Sequence, residues 1–177
     1  MEKIIETVTI EGVDFTIIEK PKTLYAGFHS VAPNIEGEPD FEDAYKRFQE
    51  KHSKIIDSTV PECMICFSIG YTEWNRTRDV IREGMFGRET TNPNQAEGIK
   101  VIEAPPCLLI RVKVTNESWN LVEKIMGEKL MPHFFGTMGN LFFTPERRFT
   151  NDGDLEMEYH YSDGTKYAAI PVKKVLK

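Results

Sequence analysis

The segment "FTIIEKPKTLYAGFHS" begins at Phe15, and "IKVIEAPPCLLIRVKV" begins at Ile99, an offset of 84 residues. Ile18 matches Ile102, Glu19 matches Glu103, Pro21 matches Pro105 and Leu24 matches Leu108. A repeat of this kind restricts the fold more than composition does, because each copy must build the same unit and bury its apolar side against a neighbour. Each copy reads as a short strand, a proline-marked turn and a second alternating stretch. In the later copy Leu108, Ile110, Val112 and Val114 share one side, while Arg111 and Lys113 lie on the other.

Both copies then run into a helix. Asp40, after Pro39, is placed to cap the first, with Glu42 and Asp43 near its positive N-terminus. Phe41, Tyr45, Phe48, His52 and Ile55 fall at helical spacing and predict one semi-apolar stripe. In the second copy Asn116 or Ser118 can cap "WNLVEKIMGEKL", with Trp119, Val122, Met126 and Leu130 as the stripe. Strands are expected afterwards at "ECMICFSIGYT", "GNLFFT", "LEMEYHYS" and "KYAAIPVKK". Residues 1–12 read as an added edge strand, 75–98 is ambiguous, and "ETTNPNQAEG" marks a linker.

The expected organisation is one domain over 1–177, with a first repeat at about 13–90, a linker at about 88–97 and a second repeat at about 98–177. The expected fold is α+β: tandem strand-helix-strand-strand repeats forming an antiparallel sheet with both helices on one face. By analogy, the other face would curve into a ligand cleft on a pseudo-twofold axis.

With 177 residues, 40% of them hydrophobic, the chain can bury a sizeable core. No stretch is apolar enough to span a membrane or to serve as a signal peptide, so the expectation is a soluble, cytoplasmic protein. A net charge of −6 argues against a nucleic-acid surface. No helix-turn-helix pattern has room beside the predicted elements, which excludes a complete DNA-binding regulator.

Cys63 and Cys66 form a CxxC spacing inside a predicted strand, where residues i and i+3 point to opposite faces, so the sulfurs are not expected to converge. Cys107 has no His or Asp partner nearby in sequence. The histidines at 29, 52, 133 and 160 show no metal-ligand spacing, and neither metal nor cofactor is expected. A haem site would need His29 or His160 as a ligand, and nothing local supports either. Aromatic residues are 11% of the chain, enough to wall a flat apolar ligand as well as to fill a core. Trp74, Trp119 and Phe135 are wall candidates on that ground.

In residues 155–172, Glu156, Glu158 and His160 alternate with Leu155, Met157, Tyr159 and Tyr161. Alternation alone leaves Glu158 between a solvated strand residue and a site carboxylate, with His160 on the same face.

The duplicated plan, the "IExP" turns, "MEYHYSDG" and the closing "KYAAIPVKK" together resemble the GyrI-like family, which includes the effector-binding domains of multidrug-responsive transcription regulators. The resemblance runs from about residue 13 to the end and implies a free-standing member that binds lipophilic, aromatic, often cationic molecules between its halves. It places Glu158 at the family's acidic pocket position, Tyr45 of "FEDAYKRF" at its pocket tyrosine and Tyr71 near another aromatic. Tyr167 stands where many members carry a second acid.

The expected function is therefore xenobiotic sequestration or sensing, with a hydrophobic small molecule as partner and no nucleic acid or membrane. The resemblance also implies an alternative: a hydrolase of strained, cyclopropane-type alkylating compounds, with Glu158 orienting or activating water. An inhibitor module acting through an acidic surface is a further alternative. Oligomeric state is left open.

Overall fold

The computed structural model describes residues 2–33, 37–72, 79–104, 106–125 and 155–172. They form β1 (Lys3–Ile10), β2 (Val13–Lys20), β3 (Thr23–Val31), α1 (Phe41–Lys51), β4 (Cys63–Thr72), β5 (Asp79–Thr90), β6 (Lys100–Ala104), β7 (Cys107–Val114), α2 (Trp119–Ile125), β8 (Leu155–Tyr161) and β9 (Lys166–Val172). The expected segment "GNLFFT", like the stripe positions Met126 and Leu130, lies outside the described residues.

The nine strands make one sheet in the order β1-β2-β7-β9-β8-β4-β5-β3-β6, and every pairing between them is antiparallel. Without β1, the order is its own mirror image under exchange of β2 with β6, β3 with β7, β4 with β8 and β5 with β9. The register obeys the same exchange. Lys20 pairs with Cys107 and Thr23 pairs with Ala104, two contacts that the 84-residue offset carries into each other. The first strand of each repeat therefore lies against the other repeat: β2 beside β7, and β6 beside β3. The short connection through Pro21 leads from β2 to a strand that is not its sheet neighbour, so it closes no local hairpin.

Residues 1–12 supply the expected edge strand, β1. The ambiguous stretch hides β5, a full-length strand in which Gly84 and Gly87 interrupt the alternation that would have revealed it. Since β5 runs to Thr90, the connection between the repeats begins only at Thr91.

Asp40 caps α1 as expected, its Oδ1 accepting the Asp43 N–H at 2.9 Å, while Ser30 Oγ accepts the Asp40 N–H at 2.8 Å. Asp40→Ala is expected to lower stability by about 1 kcal/mol, read as a shifted urea midpoint with an unchanged slope. Ala44 and Phe48 of α1 are buried. Phe48 packs with Ala26, Phe28 and Ile55, against which Met64 and Phe86 also lie. α2 buries Val122 and Ile125 against Phe15, Ile17, Ile110 and Val112. Ser118 directly precedes α2, but its hydroxyl accepts the Thr115 N–H at 2.8 Å.

Across four adjacent strands, Phe86, Cys66, Glu158 and Ala168 are successive Cα partners. Directly paired residues share a face. Phe86 lies under α1 and Ala168 packs beside the α2 cluster, so both helices cover one face of the sheet.

The opposite face curls over itself. Lys20 of β2 is ion-paired with Glu89 of β5 although four strands separate them in the sheet. The Tyr25 hydroxyl of β3 likewise reaches Met157 Sδ of β8. Tyr25, Ile65, Phe67, Met85, Met157 and Tyr159 are buried there in one cluster. At roughly 1.5–3 kcal/mol per large apolar side chain, this cluster is a principal source of stability.

The curl needs Gly27 of β3 and Gly87 of β5, which are Cα partners. A Cβ on Gly27 would lie 2.4 Å from the Phe86 carbonyl oxygen and 2.6 Å from the Gly87 Cα.

Candidate functional site

β8 puts Glu158 and His160 on the helix-covered face, where their Cα partners on β4 are Cys66 and Met64. The other row of β8 (Met157, Tyr159, Tyr161) faces the curled core. One strand beyond Cys66 stands Phe86, its ring 5.1 Å from that of Tyr45 and 6.4 Å from that of Phe41, both on α1. Two strand spacings put Glu158 about 10 Å from Phe86 across the sheet. Met64, Cys66, Phe86, Glu158 and His160 thus share one sheet face, and Tyr45 and Phe41 of α1 stand against Phe86. Tyr45 remains 39% exposed and the Glu158 side chain 43% exposed, so solvent reaches both.

Cys66 and Glu158 face each other across the junction of the two repeats, in matching places of β4 and β8. A carboxylate stands on one side of the pseudo-twofold axis and a thiol on the other.

His160 Nε2 donates to Glu158 Oε2 at 2.8 Å. This hydrogen bond is the main reason the Glu158 carboxyl sits below the usual glutamate range, with burial opposing it and the charges of His160 and Lys166 assisting. His160→Phe removes the donor and is expected to move the Glu158 titration upward, measured by the carboxyl carbon shift against pH. Burial, and secondarily the charge of Glu158, pushes the Cys66 thiol up to about 12. At neutral pH it is a thiol, which excludes it as an activated nucleophile.

The two CxxC sulfurs diverge as the strand parity requires. Cys63 belongs to the curled core, whereas Cys66 faces the helices. Among the described residues, no three His, Cys, Asp or Glu side chains are grouped to hold a metal ion.

Among the residues singled out from the sequence, Glu158 and His160 are hydrogen-bonded to each other, and Tyr45 lies on α1 against Phe86, two strands away on the same face. Tyr167 is the Cα partner of Tyr159 and lies on the opposite face, its ring 6.1 Å from Tyr161 and 5.4 Å from the Arg111 guanidinium. Trp119 begins α2 and packs against the Phe15–Val112 cluster. Tyr71 is in β4, paired with Val80, and Trp74 and Phe135 lie outside the described residues. Phe86, Phe41 and Cys66 were missed. The hidden strand β5 concealed the first, and partners across strands have no signature in local sequence.

No protein-family model matches the chain, and no curated protein matches it. Solved structures do. VCH_CASS2, an integron cassette protein from the mobile metagenome of Vibrio cholerae, aligns over 90% of this chain and 95% of its own at 17% identity, with a TM-score of 0.48. The C-terminal domain of EcmrR aligns over 92% of this chain and 99% of its own at 13% identity, with a TM-score of 0.49. EcmrR in its DNA complex within EcmrR–RPo aligns over 94% of this chain at 13% identity, with a TM-score of 0.52. The fold is shared with EcmrR. This chain spans 59% of that protein's length. No helix among the described residues is long and apolar enough to cross a membrane.

Proposed function

We propose that this chain is a GyrI-like effector-binding domain that takes up a lipophilic, aromatic, cationic small molecule over Glu158, sequestering or sensing it in the cytoplasm. The observation carrying this reading is Glu158 itself: half-exposed, held ionised by His160, and sharing its sheet face with Phe86 under the exposed ring of Tyr45. A carboxylate at the floor supplies charge, and ring faces supply apolar contact and attraction for a cation. The fold held in common with EcmrR supports the same reading.

The test is a titration with ethidium and tetraphenylphosphonium, followed by dye fluorescence and thermal unfolding. Binding at a hundredfold excess over Kd raises stability by about 2.7 kcal/mol. A panel of such compounds that leaves the melting temperature unmoved sinks the proposal.

The Glu158–His160 pair favours a second reading, because a carboxylate hydrogen-bonded to an imidazole can activate water. Mass analysis of a cyclopropane- or epoxide-bearing aromatic compound after incubation distinguishes the two. A product one water heavier means hydrolysis, and recovery of unchanged compound means binding alone.

A further inference from the structure

On the face away from the helices, a cavity of about 300 Å³ opens between the repeats, lined by Lys20, Arg111, Glu2, Glu89, Tyr159 and Tyr161 among others. That volume is at the lower end of the small-ligand range. The Lys20 side chain is only 4% exposed, an uncommon place for an ammonium group. Burial alone would lower its pKa, but Tyr159, Glu89 and Glu2 around it outweigh burial and raise it, so Lys20 stays charged.

Glu2 completes the site. Its Oε1 accepts from Lys20 Nζ at 2.8 Å and its Oε2 from Arg111 Nη1 at 3.1 Å. One carboxylate thus bridges two cations presented by adjacent strands, β2 and β7, which is how a ligand carboxylate would be held. Burial would raise the Glu2 carboxyl, yet Lys20 and then Arg111 hold it below its usual range.

The attachment of Glu2 is slight. Only the pairs Lys3–Glu19 and Ile4–Ile18 stand between it and an irregularity in the β1–β2 ladder. Once Glu2 swings out, Glu89 is the carboxylate left among the described lining residues against Lys20 and Arg111, which leaves a net positive end beside two tyrosine side chains.

We propose that this cavity is a second ligand site, for a small organic anion that carries a carboxylate on an aromatic body, with Glu2 as the resident carboxylate that the ligand displaces. The site is separate from the groove over Glu158, and its charge preference is opposite.

Calorimetric titration of the full chain with benzoate, and with benzamide as its neutral counterpart, tests this. Glu2→Gln and Glu2→Ala are each expected to bind benzoate at least tenfold more tightly than the parent, and adding Arg111→Gln is expected to remove the gain. Benzamide binding stays unchanged throughout, and Glu158→Gln leaves benzoate binding as it was. The proposal is overturned if benzoate binds no variant, if removing Glu2 gives no gain, if the gain survives loss of Arg111, or if benzamide gains equally. Melting curves of both Glu2 variants identify any that fail to fold, and either one suffices for the comparison. Ethidium binding to the same variants reports separately on the helix-face site.

Discussion

Glu158→Gln is expected to weaken binding of ethidium or tetraphenylphosphonium about tenfold while leaving a neutral aromatic of similar size almost unaffected. The substitution keeps shape and hydrogen-bonding capacity but removes the charge. Because the side chain is 43% exposed, water screens it, and an effect of about 1.4 kcal/mol is the right scale for a partly exposed carboxylate–cation contact. The pH dependence has a definite sign. The folded-state pKa of Glu158 is depressed below its ordinary 4.5, so its contribution to stability is fully present above that value and is lost as pH falls through the lower folded one. Cation affinity weakens over the same acid range in the parent, and Glu158→Gln abolishes this dependence. An equal loss for the neutral aromatic would mean that Glu158 shapes the groove and does not attract charge.

Gly27→Ala is expected to destabilise the fold by about 3 kcal/mol or more, because the added methyl meets backbone atoms of β5 and no side-chain rotation relieves it. For a chain of this size that is a fall in melting temperature of roughly 6–12 °C. Gly12 provides the contrast. Its φ is +80°, but nothing lies within 4 Å of a Cβ placed there, so Gly12→Ala is charged only with the left-handed backbone, about 1–2 kcal/mol. Equal melting temperatures for the two variants would show that β3 and β5 can part, and that the curl does not depend on their close approach.

What was legible in the sequence was whatever depends on residues near one another in the chain. Asp40 and the stripe through Phe48 announce α1. Strand parity separates Cys63 from Cys66 and joins Glu158 to His160. The 84-residue offset announces the symmetry. What was not legible depends on partners distant in sequence. β5 was obscured because Gly84 and Gly87, placed for close approach to Phe41 and β3, erase the alternation. Lys20, beside Pro21, carries no local sign of burial, and only the curl of the sheet encloses it with Glu89. Tyr45 was reached through family resemblance, and its tilted contact with Phe86 had no local sign because β5 was hidden. The register of β8 with β9 puts Tyr167 on the face away from Glu158.

The exchange of β2 and β6 also governs how this chain is made. As the polypeptide emerges, β2 can pair with β1 on one edge, but its other edge, at Phe15, Ile17 and Ile18, stays open until Leu109, Ile110 and Val112 have been synthesised. β3, paired with β5 on one edge, equally waits for Val101 and Ile102 on the other. Such distant pairings slow closure, and a fragment ending in the connection after Thr90 would expose apolar strand edges with nothing to cover them. Neither copy of the repeat can finish folding before its twin arrives.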